Sequence, residues 1–374
     1  MFAQSVAIAA AVLAALVPVK AALVVQWYTG GIYPPLQRTL TTMSNLVPFA
    51  WMDVALVVAA IWLVRLWWTA WGSSRSWCHA PRAHRLLRAV LTTAAAVACV
   101  YLVFLALWGL NYRRVPLARQ LMLDKPAPST DAVVRLGLDA VGKLNALYEP
   151  AHGAGWDEPD WKNASLRSAG AAALRLLARP SPVVQARLKR SMLGLVFRWN
   201  GVDGMTNPFG LEVLANPDLL PFERPFVAAH EWAHLAGYAD ESDANFVGWL
   251  TCLKSDVPAQ YSAWLYLYWQ IAGELGSTER PRLAATLAAG PRGDLDAITA
   301  RLRRGDIPLF RRASWAAYDQ YLKANHVRAG VRSYGEVVTL ILRARFEDGW
   351  RPVLRDGAAS RPAFGRAPAP TPAS

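Results

Sequence analysis

Residues 230–245 read HEWAHLAGYADESDAN, and the spacing inside this run organises everything around it. His230 and His234 are four apart, so on a helix both rings leave one face and can meet a single ion. Glu231 lies between them in sequence, within reach of a water on that ion. A zinc site that performs hydrolysis needs three protein ligands and one open position. Pro225 suits the first turn of such a helix, and Gly237 suits a C-terminal cap that turns the chain back. The third ligand is therefore expected on the returning segment. Glu241 is favoured because Asn245 stands one helical turn beyond it and can hydrogen-bond a ligand imidazole from behind; Asp243 is the alternative. The remaining histidines, His79, His84, His152 and His326, have no metal spacing.

Upstream of this run, a Gly-, Asn- and Pro-rich stretch from 200 to 221 interrupts helical patterning, with a short strand expected at Gly210–Leu214. Apolar spacing predicts helices at 131–148, with Ser129 or Thr130 as N-cap, and at 161–177, 183–197, 260–275 and 332–346. Residues 358–374 are mostly Ala, Pro and Ser, a composition that predicts disorder. The expected class is mainly α: three transmembrane helices within residues 1–114, then a mostly helical domain over 115–357 with a small edge sheet.

Three apolar runs support that membrane part. The clearest, 89–110, carries no charge and is long enough for a hydrocarbon core of about 30 Å. The run 49–71 holds Arg65 near one end, where its side chain can snorkel. The run 5–27 contains Pro18 and Lys20 and reads as an uncleaved helix. Arg75, Arg82, Arg85 and Arg88 crowd the connection between the second and third runs, so the positive-inside rule places that loop in the cytoplasm and the domain outside. Arg113, Arg114 and Arg119 weigh against this orientation.

Composition agrees. The chain has 374 residues, 54% hydrophobic and only 18% charged, with 17 Trp, a residue that favours membrane interfaces. The net charge of +13 comes from 40 basic and 27 acidic residues. It fits attraction to anionic headgroups. No basic block or binding module is present, so nucleic acid is not an expected partner. Cys78, Cys99 and Cys252 form no CxxC pair and define no disulfide framework.

The HExxH followed by ExxAN resembles the gluzincin metallopeptidases. More closely, the chain resembles a family of uncharacterised bacterial membrane proteins with a zincin-like domain. The matching pieces are WYTGGIYPPLQRTL from Trp27, WGLNYRRVPL from Trp108, residues 201–246 and residues 318–342. The resemblance implies His230, His234 and Glu241 as zinc ligands and Glu231 as general base. It also implies a substrate strand beside the active helix, which would put Gly204–Leu214, with Glu212, along the cleft; a purely structural loop is the equal alternative for this segment. An oxyanion donor is wanted too, with Tyr334, Tyr318 and Tyr238 as candidates. The expectation is a multi-pass inner-membrane zinc endopeptidase acting on membrane-associated peptide or protein. A zinc-stabilised membrane scaffold is the main alternative. Cleavage inside the bilayer is another, although the apolar runs at 244–253 and 261–272 are too short to span.

Overall fold

The computed structural model describes residues 2–72, 81–124, 127–156, 161–179, 182–305, 307–324 and 336–355. It is mainly helical with small sheets. Two helices, α4 (Trp51–Gly72) and α5 (Arg82–Leu107), are long and apolar enough to cross a membrane. The first apolar run differs from expectation. Helix α1 (Phe2–Leu16) stops two residues before Pro18, and Ala21–Asn45 leaves at 108° to it. Proline explains the break, since it fixes φ and disfavours helix at the residue before it. At 1.5 Å per residue α1 alone reaches only about 22 Å, so it spans only if the bent pair counts as one unit. The segment after the bend comprises the short α2 (Ala21–Leu23), a wide π-helical stretch (Val24–Ile32) and α3 (Tyr33–Asn45).

Helix α3 belongs physically to the body of the protein. Gln37 bonds Val184 through both its amide groups, Thr41 donates to the carbonyl of Leu211, and Asn45 bonds the backbone of Gln185 and Arg187. These contacts hold 182–187 extended, leading into strand β1 (Leu188–Lys189), where helical spacing predicted a helix from 183. Only α9 (Gly194–Asn200) of that expected helix forms. Strand β1 runs parallel to β3 (Glu212–Ala215), and β2 (Gly204–Asn207) pairs antiparallel on the other side of β3. The order β1-β3-β2 makes β2 an edge strand.

After α6 (Leu117–Gln120) come α7 (Thr130–Ala154) and α8 (Ala164–Leu176), capped by Ser129 and Asn163. Then follow α10 (Arg224–Leu235), α11 (Glu241–Leu253), α12 (Val257–Glu274), α13 (Glu279–Ala285), α14 (Ala289–Gly305), α15 (Pro308–Ala324), α16 (Glu336–Arg343) and a two-stranded ribbon, β4 (Phe346–Glu347) with β5 (Arg351–Pro352). Helix α11 is the centre: every residue from Glu241 to Cys252 is buried. Trp249 sits edge-on to Trp264 and Trp350 at 6.0 and 5.1 Å between ring centroids. A fully buried aromatic of this kind contributes about 1.5–3 kcal/mol. A helix buried all round must satisfy every charge it carries, and α11 carries two, Glu241 and Asp243. The Ala/Pro-rich tail and Tyr334 lie outside the described residues.

Candidate metal centre

Helix α10 ends in a Schellman motif: Tyr238 N–H donates to Ala233 O at 3.0 Å and Gly237 N–H to His234 O at 2.8 Å. Gly237 has φ +83°, and a Cβ there would fall 2.6 Å from Asn111 Oδ1, so glycine is required twice over. The chain turns through Asp240, whose carboxylate caps α11 by accepting from Ser242 N–H at 2.9 Å. Helix α11 then crosses α10 closely. A Cβ on Gly248 would lie 3.0 Å from both N and Cα of His230, so this glycine sets the approach of the two helices.

That approach brings together three atoms that could hold a metal ion. His230 Nε2 and His234 Nε2 are 3.1 Å apart, and Glu241 Oε2 lies 3.4 and 3.5 Å from them. A tetrahedral ion about 2.0–2.1 Å from each ligand separates neighbouring ligand atoms by about 3.3–3.4 Å. The triangle therefore has the dimensions of one face of a zinc tetrahedron. It is also the only such cluster of three found among the described residues. His234 Nδ1–H donates to Tyr238 O at 2.7 Å, which leaves the neutral ring's Nε2 lone pair facing the triangle.

The field at this point favours positive charge. Burial disfavours an imidazolium at His234, but Glu241 and then Glu231 outweigh it and push the group up to about 9. Burial likewise opposes the Glu241 carboxylate, yet the two imidazoles hold it well below its ordinary range. A potential that retains a proton here would also attract a divalent cation, which would displace the proton. Asp243, the alternative ligand, points elsewhere: its carboxylate accepts from Leu117 N–H at 2.9 Å.

Glu231 is buried beside the triangle, and Thr206 Oγ1 donates to its Oε2 at 2.8 Å. Gly204 makes room, since a Cβ there would fall 2.7 Å from Glu231 Oε1. Burial raises the Glu231 carboxyl above its ordinary value, only partly opposed by His230, His234 and Thr206. Both partners come from one face of edge strand β2, where positions two apart point the same way. That i, i+2 pair was the missed signal in GVDGMT.

Other expected residues fall differently. Asn245 is buried, but among the described residues its Nδ2 has no hydrogen-bond partner, and neither has His230 Nδ1; both residues border the same small cavity. Glu212 is wholly buried and does not line the cleft. It is paired with Lys189 at 3.0 Å and accepts from Ser44, Asn207 and the main-chain N–H groups of Trp51 and Met52. It anchors the N-terminus of α4, one of the two helices long and apolar enough to cross a membrane. Tyr238 contributes its carbonyl to His234, and its ring is covered by the Arg114 guanidinium. Tyr318 lies on α15.

The last carbonyls of α10 are satisfied from the membrane end of the chain. Trp108 Nε1 donates to His234 O at 3.0 Å, Tyr33 Oη to Leu235 O at 2.9 Å, and Arg114 to Ala236 O and Gly237 O. Two cavities flank the triangle. One of about 650 Å³ is mostly apolar and includes residues of α5; the other, about 350 Å³, holds Asp203, Glu223, Gln270 and Arg301. His230, Glu231, Gly204 and Val202 border both.

No curated protein and no solved structure matches the chain. A family model described as a protein of unknown function, DUF3810, matches residues 28–342, from the π-helical stretch through α16. The chain belongs to that family.

Proposed function

We propose that this protein is a membrane-anchored zinc metallopeptidase of gluzincin type, with His230, His234 and Glu241 holding the ion and Glu231 as general base. The observation that carries the reading is the 3.1–3.5 Å triangle of candidate ligand atoms with a buried, cavity-lining carboxylate one residue from His230. A zinc ion held there would polarise a peptide carbonyl and lower the pKa of water towards about 7. Glu231, steadied by Thr206 and raised by burial, accepts the proton of the attacking water and returns it to the leaving amine. Edge strand β2 offers main-chain groups along which an extended peptide can lie.

The domain joins the Trp51 end of α4 and the Leu107 end of α5, away from Arg82, Arg85 and Arg88. The positive-inside rule then favours the outer face of the bacterial inner membrane for the site. The test is metal content and peptide hydrolysis of the purified full chain, wild type beside Glu231→Gln and His234→Ala. Bound zinc in wild type, lost with His234→Ala, and hydrolysis lost with Glu231→Gln are the expected results. Metal binding and chelator-sensitive melting without any hydrolysis would replace this reading with a zinc-stabilised membrane scaffold.

A further inference from the structure

The larger cavity has a wall that a soluble peptidase would not have. Val97, Val100, Tyr101, Phe104 and Trp108 of the α5 segment border the same space as His230, Glu231 and Glu241. Their spacing of three and four puts them on one helix face. From Trp108, bonded to the ligand helix, down to Val97 is about 16 Å at 1.5 Å per residue, roughly half of a 30 Å hydrocarbon core. Val97 and Val100 are also among the most exposed apolar residues of α5, at 64% and 55%. In a bilayer these valines face lipid. The cavity therefore runs from about the midpoint of α5 up to His230, Glu231 and Glu241.

Across the triangle the character changes. The smaller cavity is bordered by an ion network in which Arg301 meets Asp203 at 2.8 Å and Glu223 at 2.7 Å. Asp203 is partly exposed, so this side communicates with water. Val202, Gly204 and Trp315 border both cavities, so the two adjoin beside Glu231 at the start of β2.

We infer, resting on the peptidase reading above, that the substrate is a membrane-anchored polypeptide cut where it leaves the bilayer. Its apolar, membrane-side residues occupy the α5-walled cavity and its polar, water-side residues follow the Asp203–Arg301 side. A length of about 16 Å accommodates about five extended residues at ~3.3 Å each. A purely aqueous peptide would leave the valine and aromatic wall facing lipid or water with nothing to cover it. A polarity gradient centred on the ligand triangle suits a chain that is itself apolar at one end and polar at the other.

The full chain in phosphatidylethanolamine–phosphatidylglycerol vesicles tests this, with two synthetic probes. One is a Leu/Ala span of about 20 residues followed by a Ser/Gly-rich tail that begins with a few apolar residues; the other is that tail alone. The expected result is hydrolysis of the anchored probe at least about tenfold faster than of the free tail, at matched concentration in the vesicle suspension. Val100→Trp, which keeps the span apolar but fills the cavity, is expected to bring that ratio towards one. Equal hydrolysis of both probes overturns the inference and leaves the peptidase reading standing. A photoreactive benzoylphenylalanine at position 100, placed in the Glu231→Gln chain, supplies a readout independent of turnover. Crosslinks to the anchored probe are expected; crosslinks to lipid alone overturn the inference. Crosslinking to the anchored probe with no hydrolysis of either probe by wild type would support the docking and sink the peptidase reading.

Discussion

The indole of Trp108, one residue past the long apolar helix α5, donates its N–H to the main-chain oxygen of His234 at 3.0 Å, and the two rings lie edge to face at 6.2 Å. The span and the ligand helix are thus joined by a buried hydrogen bond across 126 residues of sequence. Trp108→Phe keeps much of the ring but leaves that carbonyl with one donor fewer. A loss of about 1 kcal/mol is expected, read as a lower melting temperature in detergent together with weaker zinc binding. Unchanged zinc affinity would show that the span does not position the ligand.

Glu241 and Asp243 are two residues apart on a buried helix, yet only Glu241 meets the imidazoles. Glu241→Gln is expected to weaken zinc binding at least about 100-fold, whereas Asp243→Asn retains it. Metal content by mass spectrometry after dialysis separates the two. Retention of zinc by Glu241→Gln and loss by Asp243→Asn would reverse the assignment.

Glu212 gives a pH prediction. Burial opposes its charge, but Asn207, the Met52 and Trp51 N–H groups and Lys189 outweigh it and hold the carboxyl below its ordinary value of 4.5. A depressed carboxylate adds stability that is complete above the unfolded pKa and lost as pH falls through the folded value. Stability should therefore fall below pH 4.5 through this group, and the fall should be smaller in Glu212→Gln. The same substitution leaves Lys189 buried without its counter-ion, a cost of about 3–5 kcal/mol at neutral pH. Thermal unfolding across pH reads both effects. Wild-type stability at pH 7 with weakened substrate binding would return Glu212 to the cleft.

At Gly237 an alanine meets both a positive φ and the Asn111 oxygen. Gly237→Ala is expected to cost about 1–3 kcal/mol and to lower zinc affinity, because the turn that presents Glu241 begins there. Gly142, where a Cβ meets nothing within 4 Å, is the control: Gly142→Ala should not destabilise.

Thr206→Val removes the hydroxyl that donates to Glu231 while keeping the shape of the strand residue. Turnover should fall about tenfold or more with zinc content intact, and KM should change less than kcat. An unaffected kcat would mean that Thr206 only supports the strand.

Some of this architecture was legible because its causes are local. Four-residue spacing placed His230 and His234 on one face whatever they pack against. Ser129 announced the start of α7, whereas the run 5–27 reads through Pro18 as one helix and the structure bends it there by 108°. The helix expected from 183 failed for the opposite reason. Its side-chain pattern was helical, but bonds from Gln37 and Asn45, about 140 residues away in sequence, pull the backbone into a strand. Glu212 looked like a cleft residue because it sits near the edge strand; nothing local says that Lys189 and the start of α4 converge on it.

By itself the sequence determined a chain with membrane-length apolar helices and one helix bearing two imidazoles and a carboxylate, since run length and helical period are properties of a segment alone. Tertiary structure decided which acid completes the triangle, what holds Glu231 and where the cleft opens. Those depend on how near two helices or a helix and a strand can come. Gly248 and Gly204 permit that approach, and Trp108 ties it to the end of a helix long and apolar enough to cross a membrane.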